Sequence, residues 1–376
     1  MKAWRENLHR HPELGFTETR TAGFVANELR AAGIEVHEGI GGTGLVGVLR
    51  RGTGNRGIGI RADMDALPIT EQNDFDHRSG EPGVMHACGH DGHTTMLLGA
   101  AAHLAAHGNF DGTAVFIFQP DEENGRGARA MIDDGLFDRF PVDAVYGLHN
   151  LPGLEDGRVA VRSGPVMACE DTFQISISGK GTHAAMPHKG IDPIVAGAQV
   201  IMALQTIVSR QMNPLDDAVV SVTDFRTNGV RNVIPGEVTI TGDARSFTPE
   251  VSAMIETTMK RIVSGLCEAS GTMSTVEYDR EFTATINSAR EADVVARVAA
   301  DVAGAGSVDP DCAPLMASDD FGAMLEHRPG AYFFLGNGTD GAHGHALHNP
   351  AYDFNDGILV RGAELWVRLV ETQLAA

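Results

Sequence analysis

The chain has 376 residues, with 29 Lys and Arg against 50 Asp and Glu, giving a formal net charge of −21 at pH 7. At roughly 100–200 residues per domain this length fits two domains, and 43% apolar with 21% charged residues is globular composition rather than disorder. Such an acidic surplus disfavours nucleic acid, whose binding rests on neutralising phosphates, and leaves no basic patch for an anionic membrane, so a small-molecule partner is expected.

The start, Met1-Lys2-Ala3-Trp4-Arg5-Glu6-Asn7, precedes no apolar stretch of about 7–15 residues, so no signal peptide is read. Thr17 to Ala32 carries Ala22, Val25 and Leu29 at helical spacing and stops at Gly33. Gly57-Ile58-Gly59-Ile60 reads as a short buried strand leading into Arg61-Ala62-Asp63-Met64-Asp65. His93 to His107 is Ala- and Leu-rich and helical, and its apolar run from Met96 to Ala102 is far short of the ~18–20 residues that span a bilayer. Ala114 to Phe118 and Ala144 to Leu148 are wholly apolar runs of strand length. Such strands alternating with helices predict a mixed, largely parallel sheet covered on both faces, an α/β fold.

The middle changes character. Thr172 to Ser178 alternates strictly, with Phe173, Ile175 and Ile177 on one face, as in a half-exposed antiparallel strand. A helical stripe follows through Ile194, Ala198, Ile201, Leu204 and Val208, then strands at 218–223 and 237–247. A helix through Val251, Ile255, Ile262 and Leu266 and a strand over 275–282 complete the split β-α-β-β-α-β order. Ala292 to Ala303 and Ala331 to Leu335 return to the first pattern, so 166–283 is read as an insertion into a domain made of 1–165 and 284–376.

Four cysteines (Cys88, Cys169, Cys267, Cys312) are too scattered for a disulfide framework and point to a reduced, cytoplasmic compartment. Cys88 instead belongs to the densest cluster, Met85-His86-Ala87-Cys88-Gly89-His90-Asp91-Gly92-His93, where thiolate and imidazole can face one point. Gln119-Pro120-Asp121-Glu122-Glu123 follows a buried strand, at the end where open α/β sheets place their sites. His149 ends another strand, and His348 precedes Asn349-Pro350. Any one of these is more often a solvated turn or a structural histidine; four such loops together are an improbable accident.

These motifs resemble the di-metal aminoacylase/carboxypeptidase superfamily of amidohydrolases, in the branch of hippurate hydrolases and indole-acetyl-amino-acid hydrolases. The resemblance runs from His9-Arg10-His11-Pro12-Glu13-Leu14-Gly15 to Tyr352-Asp353-Phe354-Asn355-Asp356. Between lie Arg61 to Pro68, the Cys88 cluster, the Glu122-Glu123 pair, Gly181-Thr182-His183-Ala184-Ala185-Met186-Pro187-His188 and Asn232-Val233-Ile234-Pro235. It implies a zinc-peptidase-like catalytic domain with an inserted ferredoxin-like dimerisation or lid domain, hence a homodimer or homo-oligomer. It also implies two divalent metal ions per subunit: Cys88 bridging, Glu123 and His348 completing one site, His90 and His149 the other. Glu122 resembles the general base and Asp63 an orienting carboxylate, while Arg61 replaces the superfamily's histidine. His183, Asn232 and Arg245 resemble the lid's substrate contacts, with His183 acting at the partner subunit's metals.

A bridging thiolate favours Zn or Mn, with Co or Ni also compatible, over Mg or Ca. The activity implied is hydrolysis of N-acyl amino acids, hippurate-like or acetyl- and aryl-acetyl-amino acids, with a metallo-dipeptidase or carboxypeptidase as the alternative. Two departures stand out. Asp121 replaces the usual Ala, which is expected to bring another carboxylate near the metals, and Asp319 replaces the usual Glu. A closed structural zinc site has no use for a free carboxylate such as Glu122, and a Cys88 thiol hydrolase would survive chelation.

Overall fold

Runs with no polar face become strands where a sheet is covered on both sides. The computed structural model describes residues 1–375. From the N-terminus it contains α1 (Lys2–Arg10), α2 (Thr19–Ala31), β1 (Glu35–Ile40), β2 (Gly44–Arg51), β3 (Gly57–Asp63), α3 (His90–His107), β4 (Gly112–Gln119), β5 (Ala144–Pro152) and β6 (Val159–Ala160). Next come β7 (Cys169–Ser178), β8 (Thr182–His183), α4 (Pro193–Leu204), β9 (Ala218–Thr227), β10 (Val233–Ile234), β11 (Glu237–Ser246), α5 (Pro249–Ser270) and β12 (Met273–Phe282). The remainder supplies α6 (Ala289–Ala303), β13 (Val308–Asp309), β14 (Gly330–Gly338) and α7 (Leu359–Gln373). Two compact units result. Met1–Val166, Thr285–Pro314 and Asp319–Ala376 form one; Met167–Ala284 and Leu315–Ser318 form the other.

The first unit is built on an eight-stranded sheet in the order β1-β2-β4-β3-β5-β14-β6-β13. The central strands β4, β3, β5 and β14 run parallel, and β2 and β1 continue the sheet antiparallel. Its apolar side chains meet those of the helices in one core that includes Leu29, Leu97, Phe116, Phe333 and Trp366. Each such burial stabilises by about 1.5–3 kcal/mol. Because the central strands are parallel, Asp63, Gln119 and Asn150 all arrive at the same edge.

The second unit is an antiparallel sheet in the order β9-β11-β7-β12. Phe173, Ile175 and Ile177 of β7 join Val200, Leu204, Ile255 and Met259 in its own core. Both helices are punctuated locally. Asp192 accepts from the Ile194 amide before Pro193, and Thr248 accepts from the Val251 amide before Pro249. Gly271, at φ +71, ends α5. The stripe read in α4 needs correcting: Leu204 is buried and Ile201 and Val208 pack against the core, but Ile194 and Ala198 are exposed, and Ala196 and Val200 are buried in their place. The helix is apolar on two faces, and spacing alone picked the mixture.

Arg5 and His9, one turn apart on α1, are both buried, and their partners explain why. Arg5 pairs with Asp356 at 2.7 Å, and His9 hydrogen-bonds Asp91 at 2.8 Å and Glu71 at 3.1 Å. Burial alone would depress the His9 imidazole, but its bonds to Asp91 and Glu71 outweigh that and raise its pKa to about 9. A raised folded value stabilises fully below the unfolded value of 6.5 and fades as pH climbs through about 9. The contribution is on the order of 3 kcal/mol. Denaturant midpoints should therefore fall between about pH 6.5 and 9 in the native chain and stay flatter in His9→Gln. Equal declines in both would place this pH dependence elsewhere.

Candidate metal centre

Four stretches of the first unit converge at the edge where the parallel strands end. The helix expected from His93 begins three residues earlier, at His90, so Asp91 and His93 share its first turns with His90. Gly89, at φ +95, makes the bend from Cys88 into that helix; a Cβ there would lie 2.2 Å from Asn150 Oδ1. Cys88, His90, Glu122 and His149 are buried, and Glu123 is nearly so. His348 is half exposed, on a loop fixed by its amide bond to the Ala87 carbonyl.

Two donor groups share Cys88. Its thiol groups with His90 and His149, and also with Glu123 and His348, the atoms of each set lying within 4.8 Å of one another. Cys88 Sγ is 3.3 Å from His149 Nε2, and His348 Nε2 is 3.3 Å from Glu123. The tautomers follow from the other ring nitrogens. His90 Nδ1 donates to the Asp65 carbonyl at 2.9 Å and His149 Nδ1 to the Asn150 carbonyl at 2.7 Å, which in the neutral rings places the lone pair on Nε2. Asp65 also accepts from the Glu123 amide at 3.1 Å, so one carboxylate orients two candidate ligands.

The electrostatics are those of an anionic pocket. Burial, then Asp319, Glu123 and Asp320, push the Glu122 carboxyl well above its usual range. Burial raises Glu123 to about 7 against the pull of His90. Burial, then Glu123 and Glu122, raise the Cys88 thiol. His90 is lifted to about 10 because Asp63, Asp65 and Glu123 outweigh its burial. His90 Nε2 and Glu123 Oε1 are buried without a hydrogen-bond partner. Thiolate, imidazole and carboxylate donors with orphaned atoms aimed inward fit a pair of divalent transition cations, which would hold the thiol deprotonated. A third clustered set, Asp63 with His90 and His93, is spent otherwise. Asp63 takes bonds from Arg61 at 2.7 Å and His93 at 2.6 Å, and the Asn150 amide donates to His93 Nε2 at 3.1 Å.

His93, Asn150 and Asp320 carry roles that the sequence reading did not assign. The spacing of His93 from His90, three residues on one helix face, was the available signal for the first of them. Asp121 differs from expectation: its carboxylate turns to Arg126 at 2.9 Å and Asn124 at 2.6 Å, packed under Gly15, and it does not join the cluster. Asp319 does, lying with Asp320 and Glu122 in a three-carboxylate group within 4.8 Å.

In the second unit, His183 of β8 lies opposite Val233 of β10, and the Ala184 amide bonds the Asn232 carbonyl at 3.0 Å, so His183 and Asn232 neighbour each other. Arg245 lies apart from them on β11. Its guanidinium pairs with Glu170 at 2.8 Å and Asp243 at 3.1 Å, and also reaches Ser318 and the Met316 carbonyl.

A doubly covered sheet with these donors at its parallel edge defines a metal-dependent hydrolase. The chain belongs to the peptidase family M20/M25/M40, whose family model matches residues 59–372. It is 42% identical to a hippurate hydrolase of Campylobacter jejuni, over 97% of this chain and 94% of the relative. It is 38% identical to the N-acetyl-L-cysteine deacetylase of Bacillus subtilis, over 96% of this chain and 84% of the relative. The Bacillus subtilis YXEP protein, described as a dinuclear metal-binding peptidase, superposes with a TM-score of 0.87 at 31% identity, covering 99% of this chain and 97% of its own.

Gly89→Ala tests how far the site depends on that bend. Left-handed backbone alone costs a residue with a Cβ about 1–2 kcal/mol, and the close approach to Asn150 adds to it. A lower denaturation midpoint together with weaker metal retention is expected; an unchanged protein would mean that the bend is not constrained.

Proposed function

We propose that the protein hydrolyses the amide bond of N-acyl amino acids to a carboxylate and a free amino acid, using two divalent cations. The observation that carries this is the pair of donor sets sharing Cys88 with a free carboxyl, Glu122, beside them. The activities named for the hippurate hydrolase and the N-acetyl-L-cysteine deacetylase agree in substrate class. Cys88, Glu123 and His348 would hold one cation and Cys88, His90 and His149 the other. Bound there, the cations supply Lewis-acid polarisation of the scissile carbonyl and acidify the attacking water.

Glu122 takes the proton from that water and returns it to the departing amine, work suited to a buried carboxyl with a raised pKa. Asp65 and the Asn150 carbonyl fix the imidazoles, and burial excludes bulk water. His183, Asn232 and Arg245 are proposed substrate contacts, His183 acting in trans within a homodimer. The exposed Ile194, Val195 and Met202 of α4 favour an interface on the second unit. Among the described residues no helix is long and apolar enough to cross a membrane.

Dialysis against a chelator should abolish hydrolysis of benzoyl- and acetyl-amino acids, and Zn²⁺, Mn²⁺ or Co²⁺ should restore it. Full activity in metal-free protein, or preference for a dipeptide over both substrates, overturns this reading. Glu122→Gln should retain metal but lose about 10²–10⁴-fold in turnover, whereas Glu123→Gln should lose metal; exchanged phenotypes would reverse the two roles. Arg245→Ala should raise KM for a free-acid substrate about tenfold more than for its amide, the loss expected from one charged hydrogen bond. Equal effects on acid and amide would assign Arg245 to its ion pairs with Glu170 and Asp243 instead.

A further inference from the structure

Glu122 has a built surrounding that no ligand assignment uses. Carboxylate oxygens of Asp319 and Asp320 lie within 4.8 Å of its own, and all three residues are buried. Neither aspartate is free to move. Asp320 accepts from Gln119 at 2.7 Å, the Ala128 amide at 2.8 Å and Arg61 at 3.1 Å. Asp319 accepts from the Phe321 amide at 2.8 Å, from Arg61 at 3.2 Å and from the Tyr332 hydroxyl in a short bond. Arg61 in turn is set by Gln119 at 2.8 Å and Asp63 at 2.7 Å. Glu122 itself has no such clamp; on the side of the ligand cluster His90 Nε2 lies 3.9 Å away.

We infer that Asp319 and Asp320 are positioning residues, a fixed anionic wall fastened by Arg61, Gln119 and Tyr332 that holds the Glu122 carboxyl facing the ligand cluster. The physical basis is asymmetry. Every donor around the two aspartates is already committed to them, so the wall offers the ionised Glu122 carboxylate repulsion and no hydrogen bond. The cluster on its other side offers the His90 imidazole at 3.9 Å and, when loaded, the cations. A carboxyl free to rotate therefore turns away from Asp319 and Asp320, without a bond that would have to break during proton transfer. Tyr332 belongs to the device although it lies on β14, because its hydroxyl sets the Asp319 carboxylate. The inference rests on Glu122 being the general base.

The test compares Asp319→Asn, Asp319→Glu and Tyr332→Phe with the native enzyme, each reconstituted with Zn²⁺ and assayed with a benzoyl- and an acetyl-amino acid. Asp319→Asn removes the charge and supplies an amide donor that captures Glu122. Its kcat should fall about 10- to 100-fold with KM within about twofold and metal content unchanged. A crystal structure of that variant should show the Glu122 carboxyl turned onto the new amide. Tyr332→Phe, which deletes a single oxygen, should lower kcat about three- to tenfold, again at unchanged KM. Asp319→Glu keeps the charge and should recover most of the turnover. The inference is overturned if Asn and Glu replacements behave alike, if kcat falls only along with metal content or thermal stability, or if Glu122 keeps its orientation. Loss of the underlying reading looks different: Glu122→Gln would then retain turnover.

Discussion

A carboxylate taken out of water costs several kcal/mol unless a cation or a set of donors meets it, and one sheet edge here buries Asp63, Asp65, Glu122, Asp319 and Asp320. Two such charges at 4.8 Å repel by about 3 kcal/mol even at an effective dielectric near 20. Arg61 answers part of this deficit, reaching Asp63, Asp319 and Asp320 with one buried guanidinium. His90 answers another part, which is why its pKa climbs to about 10. For Glu122, Glu123 and Cys88 burial and the neighbouring carboxylates outweigh such help, and all three are pushed towards their protonated forms. Even in the wall behind Glu122 the compensation is partial, since burial raises Asp320 to about 7 against the pull of Arg61.

Holding these groups in register needs backbone that ordinary turns do not provide. Among the described residues the non-glycine positions at positive φ are Phe16, Asp121 and His348. His348 is a candidate ligand, and Asp121 immediately precedes Glu122. Left-handed backbone of this kind persists where surroundings over-determine it, and Asp121 is so determined. Its amide donates to Glu18 at 2.9 Å, its carbonyl accepts from the Gly127 amide at 3.1 Å, and its carboxylate is held by Arg126. Asp121 thus builds the turn that leads into Glu122 and Glu123, using its own charge on the far side.

What could be read in advance follows from the range of each signal. Apolar runs such as Ala114 to Phe118 announced parallel strands because both faces are covered, and every candidate ligand but His348 followed such a run or sat in a dense motif. Neither β1 nor β2 was read: Glu35, His37 and Glu38 of the edge strand β1 give no continuous apolar signal, whereas Leu45 to Leu49 of β2 is an apolar run that the reading passed over. The Arg61 network was illegible for a different reason. Its members Arg61 and Asp319 are 258 positions apart and meet only once the sheet forms. Asp121 was visible as a carboxylate beside a metal-type pair, but side-chain direction depends on a positive φ that its neighbours impose. Spacing found α4 and missed which of its two apolar faces is covered.

Cation binding, on this geometry, is also a folding interaction. The candidate ligands span Cys88 to His348, drawn from the start of α3, the turn after β4, the end of β5 and the loop after β14. Joining segments so distant in sequence removes chain entropy from the unfolded state, and the logarithmic growth of loop entropy makes the longest link the most effective. Four of the five donors sit on backbone that the sheet and α3 already fix. His348 does not: it stands on a loop at φ +63, with its side chain half exposed, tied by its amide to Ala87 and by its ring to Glu123. The shared Cys88 sits beside that tie, in the motif that opens α3. A cation held by Cys88, Glu123 and His348 would therefore close the longest chain loop using the least constrained of the candidate ligands, whereas one held by Cys88, His90 and His149 would rest on buried donors. On the proposed ligand assignment the pair would be unequal, with the first cation the more readily exchanged and the loop carrying His348 the segment most dependent on it.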